Sequence, residues 1–313
     1  TYTGKEVIQA YLTAPQGKLG KAKKVLCAFG KTRELVPGEE TQLKLSFDIR
    51  EFGSFGDLGK IKEAAFILEQ GTYSVCVGTN VRDTEVYLEF SLAQDIICRQ
   101  CHPYMAPAAL PERLLADGSF EKLPKTAQIS HKPKGYRLKQ PAPEEEISLV
   151  DAIDNGQLDA FIASLSDEDL TTLLYGHPDI NAADTNGIGL MRKERRDVKK
   201  IPLIPTADGP AGLRVFPDSG IFTTHFPCAN TIAQTWNLEI SRKIGVAGAR
   251  EVKENNAGIW LSPALNIHRN PLCGRNFEYY SEDPLCSGLF AAWNVKGVQS
   301  QNIAATVKHY LAN

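Results

Sequence analysis

At 313 residues with a formal net charge of −2 at pH 7, the chain has room for about two domains and carries no net field that would gather nucleic acid or an anionic membrane. Its longest apolar runs fall far short of the roughly 18 residues that suggest a membrane span, which leaves small polar molecules as the default partners. Seven cysteines scattered over a chain of this size fit reduced thiols better than a disulfide framework and lean to the cytoplasm, with a secreted or periplasmic location as the alternative. Residues 1 to about 97 read as antiparallel β structure. Glu6 to Leu12, Lys24 to Arg33, Thr41 to Ile49, Gly71 to Thr79 and Val86 to Leu92 are short β-branched or aromatic runs, broken by Pro37-Gly38-Glu39, Gly53, Gly56 and Gly71 at turn spacing. This is the pattern of a sandwich that falls short of the immunoglobulin-like count by a strand or two. Nothing in it gathers acid, base and nucleophile, so it reads as a packing module.

From Ile97 to about Ile147 the composition shifts to Pro, Lys, Ala and Glu with little periodicity, which describes a linker or a strap laid over a surface. Cys98, Cys101 and His102 have the spacing of a c-type haem attachment site and of half a zinc knuckle. No second Cys/His pair follows, and two free thiols at a strand end are the simpler reading. Helical periodicity begins near Ser148, where Leu149, Ile153, Leu158, Phe161, Ile162 and Leu165 line one face. Ser166-Asp167-Glu168-Asp169 opens a further helix with a capping residue and early acids, stopped at Gly176. Asn181 to Lys200 is polar, then strongly charged, and reads as a surface excursion.

The last third alternates strand and helix. Ile201 to Ala207 is a brief apolar strand that delivers Asp208 into a Gly/Pro turn ending at Arg214. Thr231 to Asn255 has the pattern of one long amphipathic helix. Ile259 to Leu261 has the bulk of a doubly buried strand and runs into a long loop holding Asn266, His268, Arg269, Asn270, Arg275, Asn276, Glu278, Glu282 and Asp283, with Phe277, Tyr279 and Tyr280 between them. A helix over about 284–301 precedes a third strand, Ile303 to Val307, which ends in Lys308-His309. Three strands that each finish in charged hydrogen-bonding groups imply parallel β/α units, with Asp208, Arg214, Arg275, Lys308 and His309 converging on one mouth.

At these residues the chain resembles the glycoside hydrolase family 3 β-glucosidases. The matching pieces are Thr206 to Arg214, Ser262-Pro-Ala-Leu-Asn-Ile-His-Arg-Asn-Pro271, Gly274-Arg-Asn-Phe-Glu-Tyr-Tyr-Ser-Glu-Asp-Pro284 and Val307 to Asn313, in matching order and spacing. Gly4 to Tyr11, Pro37-Gly-Glu39 and Gly71 to Gly78 are similar to that family's fibronectin type III-like domain. The resemblance implies an incomplete fibronectin type III-like domain over 1–97, a linker or strap over 98–147, and the first part of a (β/α)8 TIM-type barrel over 148–313. The sandwich-first order departs from most relatives and matches a minority in which the fibronectin-like domain precedes the barrel.

The chemistry the resemblance implies is retaining hydrolysis of terminal β-D-glucosyl residues by two carboxylates, with no metal and no cofactor. In the family the nucleophilic Asp comes late in the barrel and the acid/base Glu from an α/β sandwich, so both are expected outside these 313 residues. Asp208, Arg214, Arg275, Lys308 and His309 are then expected to bind the sugar of the −1 subsite, while Glu278 and Asp283 hold the long loop. The start at Thr1, without initiator Met, and the stop at a third barrel strand suggest an interior fragment that folds only with the remaining segments of its enzyme. The implied partners are a β-glucoside or cello-oligosaccharide and those segments, with a homodimer as a further option and neither nucleic acid nor membrane. A β-xylosidase and a noncatalytic carbohydrate-binding or scaffold protein stand as alternatives.

Overall fold

One strand with no solvent face organises the first part of the chain. Val7–Thr13 (β1) buries Ala10, Tyr11 and Leu12 together with the amide of Gln9. That polar burial is satisfied, because Gln9 Nε2 donates to the Thr79 carbonyl at 2.6 Å and its Oε1 accepts from the Tyr11 hydroxyl at 2.5 Å. The computed structural model describes residues 2–102, 110–124, 146–175, 185, 187–188 and 193–310. Contacts divide the chain into two units, Thr1–Pro133 and Lys134–Asn313.

In the first unit β1 lies between Val25–Lys31 (β2) and Gly71–Gly78 (β5), and Thr84–Leu92 (β6) completes an antiparallel sheet of order β2-β1-β5-β6. A second antiparallel sheet joins Ser54–Gly56 (β3), Ala65–Leu68 (β4) and Ile96–Gln100 (β7). Both sheets feed one core of Ala10, Leu12, Cys27, Ala28, Leu68, Tyr73 and Val75. Two expectations need correction here. The run Thr41 to Ile49 forms no ladder; Leu45, Phe47 and Ile49 do pack on the core, so its alternation reports the buried face without reporting a paired strand. Conversely, β3 and β4 flank glycines that read as breaks. A Cβ at Gly56 would stand 2.3 Å from the Lys62 carbonyl oxygen, so this glycine serves a close approach inside a strand. The expected strap is also ordered at its start: β7 carries the sheet to Gln100, and Glu112–Leu114 (β8) pairs with Phe120–Lys122 (β9) as a hairpin. Cys98 and Cys101 are free thiols, half-buried.

The second unit begins with short helices, Leu149–Asp154 (α1), Leu158–Ala163 (α2) and Asp167–Leu173 (α3), the first two separated at Gly156 with φ +66°. Ser166 and Asp169 form the expected capping box. The charged stretch before Ile201 is less superficial than its composition suggests. Lys193–Lys199 (α4) buries Lys199 completely, with Nζ donating to Ser164 Oγ at 2.7 Å and paired with Glu146, and Arg195 meets Asp169 at 2.9 Å. These cations point inward because a buried charge is held only where partners are supplied.

Three parallel strands follow, Thr206–Ala207 (β10), Ile259–Trp260 (β11) and Ala304–Ala305 (β12), in the order β10-β11-β12. The single helix expected over 231–255 is two, Ala229–Ala233 (α5) and Leu238–Glu254 (α6). Trp236 at φ 51° breaks the turn, and Asn237 restarts it by accepting from the Glu239 amide at 3.1 Å. Pro284–Gln299 (α7), capped by Asp283, lies against α6. The two helices approach closely. A Cβ at Gly297 would stand 2.1 Å from the Arg242 carbonyl oxygen and one at Gly245 2.3 Å from that of Asn294, while Ser241 Oγ donates across the gap to the Phe290 carbonyl at 2.8 Å. Beneath them Ala207, Leu213, Ala249, Val252, Ala257, Trp260, Val298 and Ile303 form the core.

Gly297→Ala is expected to destabilise the protein by about 1 to 3 kcal/mol through overpacking. Gly288→Ala in the same helix, where nothing lies within 4 Å of the new methyl, is expected to be neutral or stabilising by up to about 1 kcal/mol. Chemical denaturation of the two variants checks the contrast.

Candidate functional site

β10 is fully buried and ends directly at Asp208, so the direction of that carboxylate depends on the turn that follows. Gly209 and Gly212 take φ +102° and +136°. A Cβ at Gly209 would stand 1.9 Å from the Gly212 carbonyl oxygen, and one at Gly212 would stand 2.1 Å from that of Thr224. The Arg214 amide closes the turn on the Asp208 carbonyl at 2.9 Å. Trp260, fully buried on β11, donates its indole N–H to the Gly209 carbonyl at 3.1 Å. Its ring fills the space that a side chain at Gly248 of α6 would need. The turn is thus pinned from below by the adjacent strand.

Asp208 Oδ1 accepts from Lys308 Nζ at 2.5 Å, and Oδ2 accepts from Arg214 Nη2 at 3.1 Å. The Asp208 and Lys308 side chains are 21% and 13% exposed, so this pair is shielded far more than a surface ion pair. Burial raises the Asp208 carboxyl pKa, but Lys308, the Gly209 amide and Arg214 outweigh it and hold the group below its ordinary 3.8. Asp208, Arg214, Arg275 and Lys308 line one pocket of about 330 Å³, closed by the Gly209 to Leu213 turn, Thr223 to His225, Phe277 and Glu278.

His309 stands behind that wall rather than in it. Its Nε2 faces Arg275 Nη2 at 2.8 Å, and a guanidinium can only donate, so Nε2 is the bare nitrogen and the ring is neutral with its proton on Nδ1. Nδ1 lies 3.2 Å from Asn266 Oδ1, the acceptor that this tautomer requires, and 3.3 Å from the Tyr279 hydroxyl. Burial, then Arg275 and Lys308, push the imidazole pKa below its ordinary 6.5, in agreement with the neutral ring. Asn266 also accepts from the His309 amide at 2.7 Å and donates to its carbonyl at 3.2 Å. Arg275 is aimed by Glu278, a nearly buried carboxylate paired with Nε.

Four of the five expected residues therefore share a pocket, and the fifth touches it through Arg275. Asn266, Tyr279 and Glu278 position them; the sequence shows all three in the loop after β11 but does not show that the loop folds back on residue 309. Asp283 caps α7, accepting from the Cys286 amide at 2.8 Å. Among the described residues no group of three or more His, Cys, Asp or Glu is placed to hold a metal ion.

Residues 145–313 match the glycosyl hydrolase family 3 N terminal domain, and residues 6–81 match the fibronectin type III-like domain. The chain belongs to glycosyl hydrolase family 3. β-Glucosidase A of Butyrivibrio fibrisolvens is 44% identical over 339 residues, covering 99% of this chain and 40% of that protein. A β-glucosidase of Ruminococcus albus is 35% identical over 323 residues, covering 99% of this chain and 34% of the relative. The solved structure of a β-glucosidase from Paenibacillus barengoltzii matches 99% of this chain and 36% of its own with a TM-score of 0.85 at 35% identity. The chain thus spans 34 to 40% of the length of these relatives. The hydrolase match falls on the unit that carries the pocket, and the fibronectin type III-like match precedes it.

The Asp208 pKa sets the pH behaviour of this site. A carboxyl lowered in the folded state contributes stability that is fully present above its ordinary 3.8 and is lost as pH falls through the lowered value. Lys308→Met removes its main partner and is expected to cost about 1 to 3 kcal/mol at pH 7. The difference from the unmodified protein should shrink as pH falls below 3.8. Thermal unfolding at pH 7 and at a series of values below 3.8 checks both the cost and its decline.

Proposed function

We propose that this chain is part of a retaining, exo-acting β-glucosidase, in which it supplies the sugar-binding floor of the −1 subsite. The observation that carries the reading is the partly buried Asp208–Lys308 pair, flanked by Arg214 and Arg275 in one small pocket at the ends of parallel strands. A glucosyl ring offers many hydroxyls and no charge, and charged donors and acceptors make the strongest hydrogen bonds available to it. Asp208 would accept from sugar hydroxyls, while Lys308, Arg214 and Arg275 would donate. The β-glucosidases that align with nearly the whole chain support the same substrate class.

In this proposal β10, β11 and β12 are the first strands of a (β/α)8 barrel, whose sites lie at the carboxyl ends of the strands. The reaction proceeds in two displacements through a glycosyl-enzyme, with a carboxylate nucleophile and a carboxylic acid/base. Asp208 and Glu278 are the pocket's carboxylates, and each is committed to cations. Following the family that the sequence resembles, the proposal assigns the nucleophilic Asp and the acid/base Glu to segments other than these 313 residues, and the substrate to terminal β-glucosyl residues such as those of cello-oligosaccharides.

Asp208→Ala in the complete enzyme is expected to lower kcat/KM for an aryl β-glucoside by on the order of a thousandfold, about 4 kcal/mol of transition-state binding. A loss under about fivefold with the fold intact, judged by circular dichroism and melting temperature, would return Asp208 to the role of a turn residue.

A further inference from the structure

We infer that Asn266 is a positioning residue that acts on the pocket through His309: its amide fixes the imidazole in the neutral form whose Nε2 accepts from Arg275, and so sets how far the pH can fall before the pocket loses its grip on sugar. The inference rests on the β-glucosidase reading and adds to it a residue outside the pocket lining. Asn266 has one orientation, because its two ends meet backbone groups of opposite kind. Oδ1 accepts from the His309 amide at 2.7 Å and Nδ2 donates to the His309 carbonyl at 3.2 Å, so the oxygen is the end that faces Nδ1 at 3.2 Å. The Tyr279 hydroxyl, 3.3 Å from the same nitrogen, is a second oxygen on that side. The far end of the ring meets Arg275 Nη2 at 2.8 Å, a group that donates and never accepts. The tautomer is therefore dictated from both ends.

Arg275 in turn is aimed by two partners, Glu278 at Nε and His309 at Nη2. A second proton on the ring would make Nε2 a donor facing a donor and set two cations side by side, releasing the Nη2 end. Burial opposes that proton most. Arg275 from the long loop and Lys308 beside His309 oppose it too, while Glu278 from the loop and Asp208 at the end of β10 favour it. An amide at position 266 leaves this balance on the neutral side. A carboxylate there would still accept from Nδ1, but its charge would favour the imidazolium and its second oxygen would oppose the His309 carbonyl.

The test follows glucose as a competitive inhibitor of the complete enzyme across pH, in the unmodified form and with Asn266→Asp and His309→Gln. It is paired with NMR of unmodified enzyme labelled at the histidine ring nitrogens, the His309 signal being the one missing from His309→Gln. Asn266→Asp is expected to weaken glucose inhibition about tenfold near the ordinary imidazole pKa of 6.5, with the deficit shrinking as pH rises. His309→Gln, whose side-chain oxygen accepts from Arg275 and does not titrate, should flatten the acid limb. The unmodified enzyme should show a proton on Nδ1 and a bare Nε2. A proton on Nε2 alone at neutral pH would overturn the inference, even where a variant fails to fold. So would an acid limb that survives unchanged in His309→Gln, or a deficit in Asn266→Asp that is the same at every pH, as a purely structural role would give. Unmodified enzyme that neither hydrolyses an aryl β-glucoside nor binds glucose would overturn the underlying reading and the inference with it, a result independent of the histidine spectrum.

Discussion

The hydrogen-bonded ion pair between Asp208 and Lys308 spans 100 residues of sequence and joins the ends of the two outer strands of the parallel sheet. Little else about the pocket is independent of it. β11 lies between the two strands, and its own continuation is gripped on the Lys308 side, where the Leu265 amide donates to the Lys308 carbonyl at 2.9 Å. A charge pair in this position favours the observed register, because both partners are largely shielded and a slip of either strand would part them.

That geometry depends in turn on residues with no side chain. Gly248 admits the Trp260 ring, Gly245 and Gly297 let α6 and α7 touch backbone to backbone, and Gly209 and Gly212 let the turn after β10 double back. The chain of contacts runs from helix to indole to the Gly209 carbonyl to Asp208. Each link is short and the chain starts from a fully buried ring, so a methyl group inserted at Gly248 is transmitted toward the carboxylate rather than absorbed.

The sequence made the parallel unit legible because its signals are local. Strand ends at Asp208 and Lys308, the cap at Asp283 and the punctuation by Gly and Pro can each be read from neighbouring residues. What escaped depends on contacts distant along the chain. Thr41 to Ile49 alternates as a strand should, but pairing is decided by what lies beside it; Leu45, Phe47 and Ile49 reach the core without a ladder. Trp236 splits a helix at a position where the apolar periodicity runs on unbroken. Lys199 sits in a run that composition labels as surface, and its burial rests on Ser164 and Glu146, 35 and 53 residues earlier. Asn266 as the clamp on residue 309 was hidden for the same reason.

The electrostatics also set the charge states of the pocket's groups. A general acid works best with a pKa near the operating pH, and a carboxyl held below 3.8 by two cations is ionised throughout the physiological range. The charges around Asp208 thus leave it a hydrogen-bond acceptor rather than a proton donor, while Glu278 is held to the Arg275 guanidinium. His309 follows the opposite logic. Burial, and then the cations on its pocket side, keep it neutral, so it serves Arg275 as an acceptor instead of adding a positive charge behind a wall that already holds three. The wall of the pocket therefore sets three cations against the carboxylates of Asp208 and Glu278, with the neutral imidazole behind them.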